Sequence, residues 1–314
     1  MSRRVVAVTG GTGFLGRHLV RALAADGWTV RVLARRDIID PDWAGLEPQL
    51  VIGSLWDRGA LKRLCGGAAV VVHLAGLIKA RSRADFDRTN VDGARDVAVA
   101  ARAAGARLIH VSSLTAREPS LSDYAGSKRG GEDAARAVFG EDLTIIRPPA
   151  IYGPGDMETL GLFQLAQMSP ILPVLDPEAR LAMVHVEDAA AQITDMVGRP
   201  MPGVFALSDD RTAGYSWTEM MMAAARAVGK KPHVVRAPSW IIKALAKLSE
   251  CVSLANRKIS IFTSGKAREM LHLDWGVSNS EILPGAIAPR YGIDSGFTQS
   301  VQWYRAKGFL VAVK

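Results

Sequence analysis

Cysteine is scarce in this chain of 314 residues: there are two, Cys65 and Cys251, far apart. That excludes a disulfide scaffold and suits a reducing compartment. No apolar run reaches the roughly 18 residues that a membrane span requires. The opening stretch, MSRRVVAVTGG, enters a strand-like run at once. It holds no apolar core of about 7–15 residues, so a secretory signal is not expected and a cytoplasmic location is. No His/Cys cluster has metal-ligand spacing, so no metal is expected. Repeats, low-complexity tracts and long linkers are missing too. What is present is 48% hydrophobic and 22% charged residues, too apolar a mixture for disorder. A chain of this length buries about 75% of its extended surface and needs no staple, as one large domain or two closely packed ones.

Acidic charge is short in one region. Residues 211–314 hold fifteen Lys/Arg against six Asp/Glu, a balance of +9, while the whole chain carries +8. The surplus therefore lies entirely in the last third. It implies an anionic partner there, such as a phosphate-bearing substrate, nucleic acid or an anionic lipid surface, or else a solvated basic face.

The first half alternates short β-branched runs with Ala-rich helical stretches. Residues 5–9, 30–34, 50–53, 70–74, 108–112 and 143–147 read as strands, apolar along their length as strands covered on both faces are. Residues 13–26, 57–64, 86–104 and 124–139 read as helices. This alternation implies right-handed crossovers and an α/β fold with a Rossmann-type, doubly wound parallel sheet. Beyond Pro154 prolines become frequent and the pattern breaks. We expect a core over residues 1–155 and a smaller substrate-binding region over residues 156–314, with elements returning to the core. Two helices are legible in the latter. One spans residues 218–228 with Thr218 as N-cap. The other spans residues 240–255 with Ser239 as N-cap. On the second, Ile241, Leu245, Leu248, Val252 and Ala255 form one stripe while Lys243, Lys247 and Glu250 face away. Such a stripe is expected of a helix that covers the core, as on any surface helix of a globular protein; the alternative is an interfacial helix with its lysines over anionic head groups.

The run Thr9-Gly10-Gly11-Thr12-Gly13-Phe14-Leu15-Gly16 follows the first strand and opens a helix. Gly10 suits the tight turn, Gly13 lets backbone approach a pyrophosphate, and Gly16 lets the helix sit close to the sheet. The helix start supplies free N–H groups and the positive end of a dipole. After the first strand, this pattern predicts dinucleotide binding. The second strand ends in Ala34-Arg35-Arg36, where an NAD enzyme usually carries an acid for the ribose 2′-hydroxyl. Asp37, the nearest acid, arrives only after both arginines. Guanidinium groups pair bidentately with phosphate, so NADP(H) is expected over NAD(H).

Tyr124 and Lys128 lie four residues apart in Tyr-Ala-Gly-Ser-Lys and share a helix face. A phenol ordinarily titrates near pH ~10, and a neighbouring ammonium favours its ionised form, which suits proton exchange with a carbonyl or alcohol. Ser112 and Ser113 end the fifth strand, at the edge where ligands bind in such sheets. His73 and His110 fall within strand runs and read as satisfied core groups.

These motifs resemble the short-chain dehydrogenase/reductase superfamily, in its extended or atypical branch of epimerase/dehydratase-like members. In family order they are TGGTGFLG (9–16), GSLWD (53–57), HLAG (73–76), TNVDGA (89–94), HVSS (110–113), YAGSK (124–128), RPPAIYGPGD (147–156), HVEDAA (185–190) and VQWYRAKG (301–308). The resemblance implies Tyr124 as the acid/base, Lys128 as the residue that holds the nicotinamide ribose and tunes it, and Ser113 as the catalytic hydroxyl. For the cofactor it implies Gly10, Thr12, Gly13, Phe14, Leu15, Arg35, Arg36, Ser54, Leu55, Ala75, Gly76 and Pro148, with Ser54 standing where the family usually has Asp. Departures narrow the chemistry. Leu114 and Thr115 replace the Asp-Glu pair of sugar dehydratases, and Ala150 replaces an Asn common in nucleotide-sugar enzymes. The RPPAIYGPG form is similar to relatives acting on hydroxysteroids and other apolar ketones, and to an accessory subunit of respiratory complex I. We therefore expect an NADPH-dependent reductase of a ketone on a hydrophobic, lipid-like substrate, such as a 3-keto sphingoid, ceramide or keto-steroid. The basic last third would touch an anionic membrane peripherally. Alternatives are a nucleotide-sugar epimerase with tightly bound NAD and a non-catalytic NADPH-binding assembly subunit. Nucleic acid is not an expected partner; a homodimer is expected by analogy with extended members.

Overall fold

The computed structural model of the protein describes residues 4–38, 40–256 and 262–311, apart from the side chains of Leu254 and Ala255. It divides into two compact units. The first runs through Pro148 and takes back Ala190–Ala206 and Gly285–Ile287. The second comprises Pro149–Ala189, Leu207–Pro284 and the chain from Ala288 onward.

The first unit is built on a parallel sheet. Its strands are β1 (Val5–Thr9), β2 (Thr29–Ala34), β3 (Gln49–Ile52), β4 (Val70–His73), β5 (Arg107–Val111) and β6 (Thr144–Arg147), joined by a seventh strand, Gly203–Ala206. The order across the sheet is seventh-β6-β5-β4-β1-β2-β3. All six strands expected from the sequence are present. The seventh, only four residues long and far along the chain, pairs in parallel with β6. β4 is buried at all four positions, as a strand covered on both faces must be. Helix Phe14–Ala25 buries Gly16, Leu19, Val20 and Leu23, a three- and four-residue spacing that turns one stripe to the sheet. Strand order reverses between β1 and β4, where Thr9 lies beside His73. In open α/β sheets the crevice at such a reversal receives the ligand.

Two local readings are corrected. The helix expected over residues 86–104 is broken into Arg83–Phe86, a π-helical turn Asp87–Asp92 and Gly93–Ala103. The cap of the Trp217–Val228 helix is Ser216, not Thr218. Ser216 accepts from the backbone of Glu219, whose carboxylate accepts in return from the Ser216 backbone N–H, a reciprocal capping box.

The second unit has its own apolar core, with Tyr152, Phe163, Phe297 and Tyr304 fully buried. Short parallel pairs frame it: Ala150–Tyr152 with Met183–His185, Ile171–Val174 with His233–Arg236, and Arg180–Leu181 with Asp274–Trp275. Tyr152 meets Phe297 edge to face at 4.9 Å. Packing is tight at Gly296 on helix Ile293–Ala306, where a Cβ would fall 2.5 Å from the Tyr152 hydroxyl. Tyr152 is fully buried and cannot swing aside. Gly296→Ala is thus expected to destabilise the protein by about 1–3 kcal/mol through overpacking. Thermal unfolding reads this as a lowered Tm, and an unchanged Tm would show that the tyrosine relaxes freely.

Candidate active site

The glycine-rich loop is shaped by close backbone approaches. Gly10 has φ 74°, and a Cβ there would lie 2.7 Å from the backbone nitrogen of Ala75, so a side chain is barred twice over. A Cβ on Gly16 would lie 2.1 Å from the Gly10 carbonyl oxygen, which seats the helix on the loop. Gly13 stands at the N-cap position and offers no side chain to the first helical turn. The N–H groups at Phe14 and Leu15 begin that turn, beside the exposed Thr12 and Gly13. This bare helix start in a glycine cradle fits the pyrophosphate of a dinucleotide.

Beside the loop, at the end of β2, lies a cavity of about 690 Å³ walled by Thr12, Ala34, Arg35, Arg36, Ile38 and Pro41. Arg17 and Asp40 complete the wall. Sequence reasoning named Asp37 as the nearest acid, whereas the acid in the wall is Asp40. Its carboxylate is engaged: it accepts from Arg17 Nε at 2.7 Å and from the backbone of Asp42 at 3.0 Å. Arg35 and Arg36 remain as exposed cations. No local signal marks Arg17 and Asp40 as partners, because 23 residues separate them.

The other cofactor candidates fall around the same edge. After β3, the Ser54 hydroxyl accepts from the backbone of Trp56 at 3.3 Å, and Leu55 is buried where Gly93 approaches it. After β4, Ala75 donates to Thr9 Oγ1 at 3.3 Å, and the exposed Gly76 lies next to Asn90 and Lys128. Pro148, buried after β6, accepts at its carbonyl from Leu114 at 2.8 Å. Asn90, which sequence reasoning did not single out within TNVDGA, clamps these parts together. Its Oδ1 accepts from Leu77 at 2.8 Å, and its Nδ2 donates to the Leu77 carbonyl at 3.0 Å and to Ser127 Oγ at 2.8 Å. Ser127 in turn donates to the Tyr124 carbonyl at 2.8 Å. The π-helical turn carries Asn90 and interrupts the expected regular helix, as such turns at functional sites often do.

Tyr124 and Lys128 share the helix Asp123–Phe139, which Ser122 caps. Tyr124 is half-buried, its ring 6.0 Å from that of Phe86. Lys128 is buried and donates from Nζ to the carbonyl of Val111, the last residue of β5, at 2.9 Å. Burial pushes its ammonium down to about 8, with the Glu132 carboxylate acting in the opposite direction. Glu132, fully buried, accepts two bonds from Arg147, at 2.8 and 2.6 Å. Ser113, two residues past β5, accepts from Thr115 N at 3.3 Å and from Thr115 Oγ1 at 2.9 Å, which leaves its own proton to donate. Ser112 is buried, and its hydroxyl meets no hydrogen-bond partner among the described residues. The fold thus brings Gly76, Asn90, Lys128 and the carboxyl end of β5 together.

Below them, His73 accepts or donates at Nδ1 with Thr9 Oγ1 at 2.6 Å, and its ring lies 5.4 Å from that of His110. Burial, and secondarily the Lys128 charge, lower His73 to about 3; burial, His73 and Lys128 hold His110 well below its usual range. Both rings are neutral at pH 7. The expectation of satisfied core histidines holds for His73, but among the described residues neither ring nitrogen of His110 has a hydrogen-bond partner.

A profile of the NAD dependent epimerase/dehydratase family matches residues 6–204. A ceramide reductase from Caulobacter vibrioides is 56% identical over 309 residues, 98% of this chain and 97% of that protein. A 4-hydroxy-2-methyl-3-oxo-4-farnesyl-3,4-dihydroquinoline-1-oxide ketoreductase from Stigmatella aurantiaca is 35% identical over 48% of this chain and 51% of its own. A dTDP-glucose 4,6-dehydratase from Streptomyces venezuelae, solved with NAD and TYD bound, superposes with a TM-score of 0.72 at 22% identity, covering 96% of this chain and 97% of that one. The chain belongs to the NAD dependent epimerase/dehydratase family. It is an NAD(P)-dependent oxidoreductase, and its cofactor is a nicotinamide dinucleotide.

The buried Lys128 predicts a pH signature. Its folded value, about 8, lies below the ordinary 10.5. Between these values the unfolded chain holds the proton that the folded one has released, so stability rises with pH there. Removing the lysine removes that slope. In chemical unfolding of the cofactor-free protein, the wild type should gain on Lys128→Met as pH climbs through this window, and parallel stability curves would refute the assignment.

Proposed function

We propose that this chain is an NADPH-dependent reductase of a ketone on a long-chain lipid, with a ceramide-type ketone as the substrate. The observation that carries this reading is the 56% identity to a ceramide reductase along 98% of the chain. The ketoreductase relative supports the reaction class. The wall of the β2-edge cavity supports the cofactor choice. Arg35 and Arg36 meet the 2′-phosphate there, and Arg17 offsets the negative charge of Asp40 in the same wall.

In this reading the cradle at Gly10, Thr12, Gly13, Phe14 and Leu15 binds the pyrophosphate. Backbone at Ser54, Leu55, Ala75, Gly76 and Pro148 lines the path of the cofactor. When bound, the reduced nicotinamide supplies the hydride that the carbonyl carbon receives. Ser113 Oγ donates a hydrogen bond to the ketone oxygen and fixes its position. Tyr124 Oη donates the proton to that oxygen, so the carbonyl becomes an alcohol. Lys128, pinned by the Val111 carbonyl, holds the nicotinamide ribose and stabilises the phenolate left behind. The basic last third carries the protein to an anionic membrane surface, where such a lipid resides.

Two variants test the reading. Tyr124→Phe should bind NADPH like the wild type, followed by nicotinamide fluorescence, while turnover of a keto-ceramide drops by about 10²–10⁴-fold or more. Retained turnover would remove Tyr124 from the chemistry. In the double variant Arg35→Ala/Arg36→Ala, NADPH affinity should fall by more than about tenfold, the scale of lost charged hydrogen bonds, with NADH affinity nearly unchanged. Equal losses for both cofactors would make the arginines general supports, and NAD that survives purification would favour an epimerase.

A further inference from the structure

Helix Ser239–Ala255 does not sit as a core-covering helix sits. Of the five residues expected on its buried stripe, Ile241 is half-buried, while Leu245, Leu248 and Val252 are 50%, 61% and 51% exposed. The side chain of the fifth, Ala255, lies outside the described residues. The helix packs instead through Ala246, fully buried, and Ile242, which meets the apolar core of the second unit. The structure therefore corrects the choice of inner face.

The outer face is apolar. At about 100° per residue, Trp240, Ala244, Leu245, Leu248, Cys251 and Val252 fall within an arc of about 140°, roughly opposite Ala246 and Ile242. All six are exposed, Trp240 at 68%. Lys243 and Lys247 are exposed along one margin of that arc. The one acid of the helix, Glu250, is only partly exposed and is engaged by the backbone and hydroxyl of Ser264, at 2.6 and 2.8 Å. The lead-in strand His233–Arg236 is exposed throughout, with Val234 and Val235 on it and exposed Lys230 and Lys231 just before it.

We infer that the outer face of this helix is a membrane-docking element that lies in the plane of an anionic bilayer. Its apolar arc enters the boundary between head groups and acyl chains, and its lysines meet the lipid phosphates. Charge selects this occupant over a second copy of the chain. Two such faces would bring lysines against lysines, within a region that carries +9, whereas anionic head groups complement both. An aromatic ring at the helix start suits the head-group level. The inference deepens the proposed lipid reductase and rests on it for the reason to visit a membrane, though the exposed face stands on its own geometry.

The test is co-sedimentation of the full chain with vesicles of phosphatidylcholine alone or of equal parts phosphatidylcholine and phosphatidylglycerol. Turnover of a detergent-solubilised keto-ceramide is measured in parallel. The wild type should bind the anionic vesicles, with a blue shift of tryptophan emission that Trp240→Phe abolishes. Leu248→Glu/Val252→Glu should weaken binding by at least about tenfold through lost apolar burial. Lys243→Glu/Lys247→Glu should weaken it by roughly tenfold at low salt, an effect that fades at high salt. Both variants should keep the wild-type Tm and the turnover in detergent. Vesicle binding that these variants leave intact overturns the inference, as does a wild type that ignores vesicles, or a dimer that Leu248→Glu/Val252→Glu splits without changing lipid binding. Binding with the expected variant losses but no ketone turnover would support the docking face and refute the reductase.

Discussion

A positive charge buried at the sheet edge organises the candidate active-site region. Lys128 donates to the carbonyl that ends β5, which ties the helix bearing Tyr124 to that strand. A buried ammonium is costly, and its surroundings reflect that cost. Glu132, one turn along, offsets it, and Arg147 binds Glu132 through both oxygens. The two histidines beneath stay neutral, so they add no second charge to the same pocket. Helix, β5 and β6 are thus joined through a chain of charges rather than by apolar packing alone. Asn90 adds the loop after β4 to the same assembly.

The glycine-rich loop after β1 rests on a different kind of constraint, which is room. The glycines around β1 let three backbone segments come closer than side chains would permit, and Gly13 at the N-cap brings no side chain to the helix start. At the end of β2 the exposed charges of the cavity wall are Arg35 and Arg36. Asp40 lies in the cavity wall but is held by Arg17, so the wall offers cations.

The second unit shows how little an amphipathic pattern says about what covers a face. The Ser239–Ala255 helix has apolar residues around most of its circumference, and small Ala246 faces inward while larger Leu248 faces out. Leu248 is 61% exposed on a helix that fully buries Ala246, so the larger apolar side chain is not the one that packs inward.

The sequence by itself determined what depends on neighbours along the chain. Strand and helix positions followed from short-range periodicity, and six strands appeared where β-branched runs placed them. The glycine loop and the Tyr124–Lys128 pair were legible because each is a local spacing with one geometric meaning. Tertiary structure decided everything that needs two distant segments to meet. It brought Asp40 to Arg17, Asn90 to Ser127, and the strand Gly203–Ala206 to β6. It also chose the inner face of the Ser239–Ala255 helix, because a hydrophobic stripe reports a preference for leaving water without naming the surface that removes it.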